Sequence, residues 1–301
     1  MPKSSVRAAL MALLAAGTLV GAAGAADDKA TEILAQARKA LGGDTLERLQ
    51  TLAVEGTYRR VLGEREMSGD LELAFQLPDK FLRVETMGLD PANPMRRFSG
   101  FNGATLIETT TGGGGGMMFR TMAGPGPDGR ELTPEEREQR RLRMVRRDFG
   151  RLVVVLMAGS SAAFPVEYTW TAVAEADDGK ADVLEVKGPD GFSAQLFVDQ
   201  ATHLPLMLSY REPMPRFQQF RGAGGQPPSR EEIEKRMAEI RAAGPPPLAD
   251  VQLFVSDHEK TGGVLLPKTV RRAVDGNTVE EWQLTKVQVN PVFKADKFEK
   301  K

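Results

Sequence analysis

The chain contains no cysteine, which excludes disulfides, thiolate metal sites and cysteine nucleophiles. Histidine is nearly as scarce: His203 and His258 are the two copies, each beside an expected strand and neither in a metal-spaced pair. Neither sign of charge prevails, since 40 basic residues face 41 acidic ones, and this balance gives no reason to propose nucleic acid as a partner. Past the N-terminal region, the longest conspicuous apolar run is Leu152 to Ala158, far short of the ~20 residues a membrane-spanning helix requires. Catalytic motifs are missing as well: there is no G-x-S-x-G elbow, no H-E-x-x-H and no P-loop. The Gly112–Gly116 run lacks the lysine and the strand–loop–helix context of a phosphate cradle, and reads as a loop. No catalytic residue, cofactor or metal is assigned, and an enzyme is not expected.

What is present begins with an export signal. Lys3 and Arg7 form a short basic n-region, an apolar stretch runs from Ala8 to Val20, and Ala23-Gly24-Ala25 supplies the small-residue pattern a signal peptidase needs. Cleavage is expected after Ala25 or Ala26. The expected organisation is a signal peptide over 1–25 and one domain over 26–301, a periplasmic product without the cysteine that lipid attachment requires. Without Lys3 and Arg7 the basic residues fall to 38 against 41 acidic ones, a net charge of −3.

Residues 29 to 41 read as a first helix, with Ile33, Leu34, Ala37 and Leu41 at helical spacing and Gly42-Gly43 as its stop. From Thr51 the period changes to two. Leu71, Leu73, Phe75 and Leu77 alternate with Asp70, Glu72, Ala74 and Gln76, a strand with one dry and one wet face. Asn102-Gly103, Asp178-Gly179, Gly262-Gly263 and Asp275-Gly276 mark tight turns between further runs. About eleven strands follow, with no regular βαβ alternation, so the fold class is mainly β with α: a strongly curved antiparallel sheet with helices over its concave apolar face. The acidic residues are expected on the wet strand faces.

Two inserts interrupt the strands, at about 112–150 and 213–248. The first enters a helix at Thr133-Pro134-Glu135-Glu136, where Thr133 suits the N-cap and Pro134 the first helical position. Leu142, Val145, Phe149, Leu152 and Leu156 trace one face of that helix. Arg137, Arg140, Arg141, Arg143, Arg146, Arg147 and Arg151 decorate it, either as a solvated face or as a cationic rim that meets lipid headgroups. The second insert is proline-rich and charged.

Several stretches carry a family resemblance. Val54-Glu55-Gly56-Thr57-Tyr58, Leu77-Pro78-Asp79-Lys80-Phe81-Leu82-Arg83, Phe197-Val198-Asp199, Leu266-Pro267-Lys268 and the ending Asn290-Pro291 with Phe298 are similar to outer-membrane lipoprotein-sorting members of the LolA/LolB-like superfamily. The resemblance covers roughly 29–301 apart from the inserts and implies a half-barrel whose concave face receives acyl chains. It thereby implies a periplasmic carrier or binding protein for lipid or lipoprotein acyl chains, with transient membrane contact. The same superfamily contains periplasmic regulators that bind lipid or misfolded protein, which leaves a sensor with a membrane-anchored partner as the alternative. The expected cavity is lined by Leu71, Leu73, Phe75, Trp170 and Leu196, with the helix carrying Phe149, Leu152 and Leu156 as its lid.

Overall fold

The computed structural model describes residues 23–63, 65–88, 93–112, 132–177, 179–213 and 247–300. The expected signal peptide before Ala23, most of the glycine run and nearly all of the proline-rich insert lie outside the described residues. Helix α1 (Ala23–Leu41) and a single turn α2 (Asp44–Glu47) precede five strands: β1 (Thr51–Leu62), β2 (Arg65–Gln76), β3 (Lys80–Met87), β4 (Met95–Asn102) and β5 (Thr105–Thr111). Helix α3 (Pro134–Met157) then leads to β6 (Glu167–Ala176), β7 (Gly179–Gly188), β8 (Phe192–Asp199), β9 (Pro205–Pro213), β10 (Leu248–Thr261), β11 (Val264–Val274) and β12 (Asn277–Val289).

All twelve strands form one sheet in the order β5-β4-β3-β2-β1-β12-β11-β10-β9-β8-β7-β6, one strand more than the pattern count of about eleven. Two antiparallel meanders, β1 to β5 and β6 to β12, are zipped together where β1 pairs with β12, from Leu52↔Val289 to Arg60↔Glu280. The sheet does not close: β5 and β6 are its edges. Helix α3 is the stretch of chain that joins those two edges.

Antiparallel partners share a face, so the register fixes the concave surface. Leu52, Phe75, Phe81, Phe101 and Leu106 lie in one row across β1 to β5, and Leu184, Leu196, Leu208 and Leu253 in another across β7 to β10. Leu71, Leu73 and Phe75 are buried while Asp70 is exposed, as the alternation predicts. Glu72 lies on the opposite face from Leu71 and Leu73, half-buried beside Arg96 at 3.5 Å and Lys297 at 3.4 Å. The outer face is less wet than expected. Ala74, Leu82, Val84, Phe98 and Ile107 form a second apolar cluster there, closed by Phe298 from the C-terminal turn. Asn290 Oδ1 pins that tail by accepting the backbone N–H groups of Gln50, at 2.8 Å, and Thr51, at 3.2 Å.

Helix α1 guards the β6 edge. Thr169 Oγ1 and Asp27 Oδ1 are 3.2 Å apart and Lys29 Nζ lies 3.5 Å from the Trp170 ring. Neighbouring strand residues point to opposite faces, so a helix touching both runs along the strand's free side, covering a row of otherwise unpaired backbone groups.

Candidate functional site

Helix α3 starts on a capping box: Thr133 Oγ1 accepts the Glu136 N–H at 3.2 Å and Glu136 Oε2 accepts the Thr133 N–H at 2.8 Å. It ends on Ala158 in the left-handed conformation, φ 46°. From Phe149 to Met157 every residue is buried, so this half of the helix lies inside the curl of the sheet, as its all-round apolar composition demands. Phe149 inserts among three phenylalanines of the concave face, its ring 6.1 Å from Phe75, 5.6 Å from Phe81 and edge-on to Phe101 at 5.2 Å.

Of the residues assigned to the cavity and lid, Leu71, Leu73, Phe75, Leu196, Phe149, Leu152 and Leu156 are brought into one continuous buried core. Trp170 is different. It is partly buried at the sheet edge, where its Nε1–H donates to Asp182 Oδ1 at 3.1 Å under the Lys29 ammonium. The lid sits directly on the strands. The open cavity expected between strands and helix is taken up by the helix's own side chains.

The arginines of α3 have a use the spacing did not reveal. Arg141 donates to Glu108 on β5 at 2.8 Å, and Arg146 to the Gly103 carbonyl of the β4–β5 hairpin at 2.6 Å. Arg147 reaches the other way, to the Asp190 carbonyl between β7 and β8 at 3.2 Å. On a flat sheet those two hairpins would stand roughly 40 Å apart at ~4.8 Å per strand. Two consecutive arginines touch both, so the sheet is curled around the helix and α3 straps its two rims together. Arg151, expected on a solvated face or a cationic rim, is buried instead: it meets Asp148 at 2.8 Å and Glu212 at 2.9 Å and stacks 3.7 Å over the Tyr210 ring. Below the helix, Arg38 Nε donates to the Ala158 carbonyl at 2.8 Å and the Tyr168 hydroxyl to the Gly159 carbonyl at 2.5 Å. Burial pushes the Tyr168 phenol up, so it stays protonated as that donor. Ser160 Oγ accepts the Val166 N–H at 2.9 Å, and Ser161 donates to the Pro78 carbonyl. The C-terminal end of α3 is therefore fixed to the scaffold, whereas its N-terminal half is held by side chains.

A buried charge cluster on the same concave face escaped the sequence reading, which placed the acids on wet faces. Arg60 lies 2.7 Å from Glu85 and 2.9 Å from Glu280, and Arg83 lies 2.7 Å from Glu280 and also pairs with Glu85. Glu280 also accepts the Trp282 Nε1–H at 2.7 Å. Burial alone would raise the Glu280 pKa, but Arg83 and Arg60 overcome it and hold the carboxyl at about 2. Glu85 is held below the ordinary range too: its own burial opposes this, but Arg83 and Arg60 prevail. The Tyr58 hydroxyl is pushed up to about 12 by burial and then by Glu85, and it has no hydrogen-bond partner among the described residues. With both carboxylates ionised the four charges cancel, which suits a lock on the β1–β12 seam better than acid–base chemistry. A signal for it did exist: Arg83 and Glu85 alternate with Phe81, and Glu280 with Trp282 and Leu284, on faces the apolar residues mark as inward. Among the described residues, no group of three or more His, Asp or Glu side chains is arranged to hold a metal.

No family model and no curated protein matches this chain. Among solved structures, it is similar to a domain from Vibrio parahaemolyticus named for outer membrane lipoprotein sorting, at 10% identity and a TM-score of 0.45, over 91% of this chain and 97% of that one. A DUF1329 family protein from Desulfovibrio piger is similar at 11% identity and a TM-score of 0.44, over 92% and 97% of the two chains. A LolA superfamily protein from Nitrosomonas europaea is similar at 11% identity and a TM-score of 0.44, over 90% of this chain and 97% of the other.

Proposed function

We propose that the protein is a periplasmic carrier for lipid or lipoprotein acyl chains, which take the concave sheet face when α3 swings off it. The observation that carries this reading is the seating of Phe149 among Phe75, Phe81 and Phe101 by a helix that, among the described residues, has backbone anchors only at its C-terminal end. Side-chain contacts hold the other half, and such contacts can exchange without unfolding the sheet. Ala158 is the pivot, and Leu71, Leu73 and Leu196 line the surface uncovered. No helix among the described residues is long and apolar enough to cross a membrane, and the N-terminal export pattern supports a periplasmic site of action.

The test is uptake of a naturally fluorescent polyene fatty acid by the full chain as secreted, with displacement by unlabelled palmitate, beside lipid extraction and mass spectrometry of protein made in the periplasm. Saturable, displaceable uptake is expected. Folded protein that takes up no acyl probe and yields no co-purified acyl species overturns the proposal.

A further inference from the structure

We infer that the outer face of α3 is a docking surface for an anionic lipid bilayer. Between Gln139 and Arg147 the helix carries five arginines and no carboxylate. The chain as a whole is close to neutral, at −1, so this stretch is a local concentration of positive charge. Arg140, Arg143 and Arg147 fall at i, i+3 and i+7 on the side opposite the Leu142–Phe149–Leu156 stripe. Arg137 and Arg143 are exposed, and among the described residues no carboxylate forms an ion pair with either. Arg146 and Arg147 are bonded to carbonyl oxygens, and the Nε of each is buried without a partner among the described residues. The acids of this helix sit elsewhere. Glu136 is spent on the N-cap, Asp148 pairs with Arg151, and Glu135 and Glu138 lie in the first two turns.

The apolar component separates a bilayer from other polyanions. Met144 is 58% exposed in the middle of the arginine face. A flexible thioether with Arg140, Arg141 and Arg147 at i−4, i−3 and i+3 suits an interface where the apolar tip enters the acyl boundary and the charges remain among phosphates. Docking by this face would set the strap, and with it the mouth of the concave surface, against the membrane. That is a feature of the outside of the lid, separate from what the inside binds.

The experiment is co-sedimentation of the full secreted chain with phosphatidylcholine vesicles, with and without phosphatidylglycerol. Binding is expected only to the anionic vesicles and should weaken as salt rises. The double variant Arg137→Gln/Arg143→Gln should lose affinity about 25-fold, at about fivefold per arginine. Lys39→Gln/Arg48→Gln removes the same charge from an exposed region elsewhere and should leave binding unchanged. Equal binding to neutral vesicles, an equal loss in the Lys39/Arg48 variant, or capture of an oligonucleotide with no vesicle binding overturns the inference. No acyl uptake is read in this assay, so failure of acyl uptake and failure of docking are distinguishable.

Discussion

Replacing Glu280 with Gln removes a carboxylate that two guanidiniums share while keeping its shape. Glu280 Oε1 stands 2.9 Å from Arg60, 2.7 Å from Arg83 and 2.7 Å from the Trp282 Nε1. A Gln oxygen can still accept the indole N–H, so the variant isolates the loss of charge. Arg60 and Arg83 are left to share Glu85, with one uncompensated positive charge on a face where Glu280 itself was 8% exposed. Breaking a buried ion pair costs ~3–5 kcal/mol. The displacement of the Glu280 acidity from 4.5 to about 2 corresponds, at ~1.36 kcal/mol per unit, to about 3 kcal/mol. The lower end of the range, about 3 kcal/mol, is therefore expected from urea unfolding of both proteins at neutral pH. The pH dependence follows from the sign of the displacement. A carboxyl whose folded value lies below its unfolded one stabilises above the unfolded value of 4.5 and loses that contribution as pH falls through about 2. The gap between wild type and variant should thus be flat from neutral pH down toward 5 and close on further acidification. A gap below ~1 kcal/mol at neutral pH, or one that widens in acid, would refute the reasoning.

Thr133→Ala removes half of the capping box and should cost about 1 kcal/mol; hydrogen exchange in the first turn of α3 should quicken while the β1–β12 seam stays protected. Leu152→Glu places a charge where α3 meets the strands and should abolish saturable acyl uptake. Circular dichroism must show a retained β spectrum for that result to count, and uptake at the wild-type level by the folded variant contradicts the assigned surface. N-terminal sequencing of secreted protein should begin at Ala26 or Asp27, whereas material that retains Met1 in membrane fractions contradicts the expected cleavage.

Much of the sheet was legible because its signals are local. The alternation from Met67 to Leu77 records one buried face directly, the Asn102-Gly103 turn fixes the β4–β5 hairpin, and Thr133-Pro134 marks the start of α3. The β1–β12 seam is different in kind: Leu52 meets Val289 and Asn290 caps Gln50 across some 240 residues, and nothing in either segment names the other. The buried charges were missed for the same reason. Glu280 looks like a wet-face acid until the register sets it opposite Arg60, whose guanidinium also reaches Glu85 on β3, and Arg151 looks like helix decoration until Glu212 arrives from β9. The buried residues of the concave face were identifiable because apolar periodicity marks an inward face. Whether that face is empty or filled depends on the depth to which α3 sinks, which periodicity does not encode.

A filled concavity and a carrier are compatible once the energies are compared. Phe149, Leu152, Val153 and Leu156 are buried against the strands; at ~1.5–3 kcal/mol each their seating is worth about 6–12 kcal/mol. An acyl chain with about 14 buried methylenes gains about 11 kcal/mol at ~0.8 kcal/mol apiece. The two occupants of the face are therefore of the same order, and one can replace the other without a preformed hole. Between them stand contacts of modest strength: Arg141 to a half-exposed Glu108, and Arg146 and Arg147 to carbonyls, each worth about 1 kcal/mol. An empty half-barrel held open would present Phe75, Phe81 and Phe101 to water as one contiguous apolar patch, a surface prone to aggregation. Seating Phe149 among them avoids that exposure, and places on the same helix the groups that, on the proposed reading, would have to let go for a chain to enter.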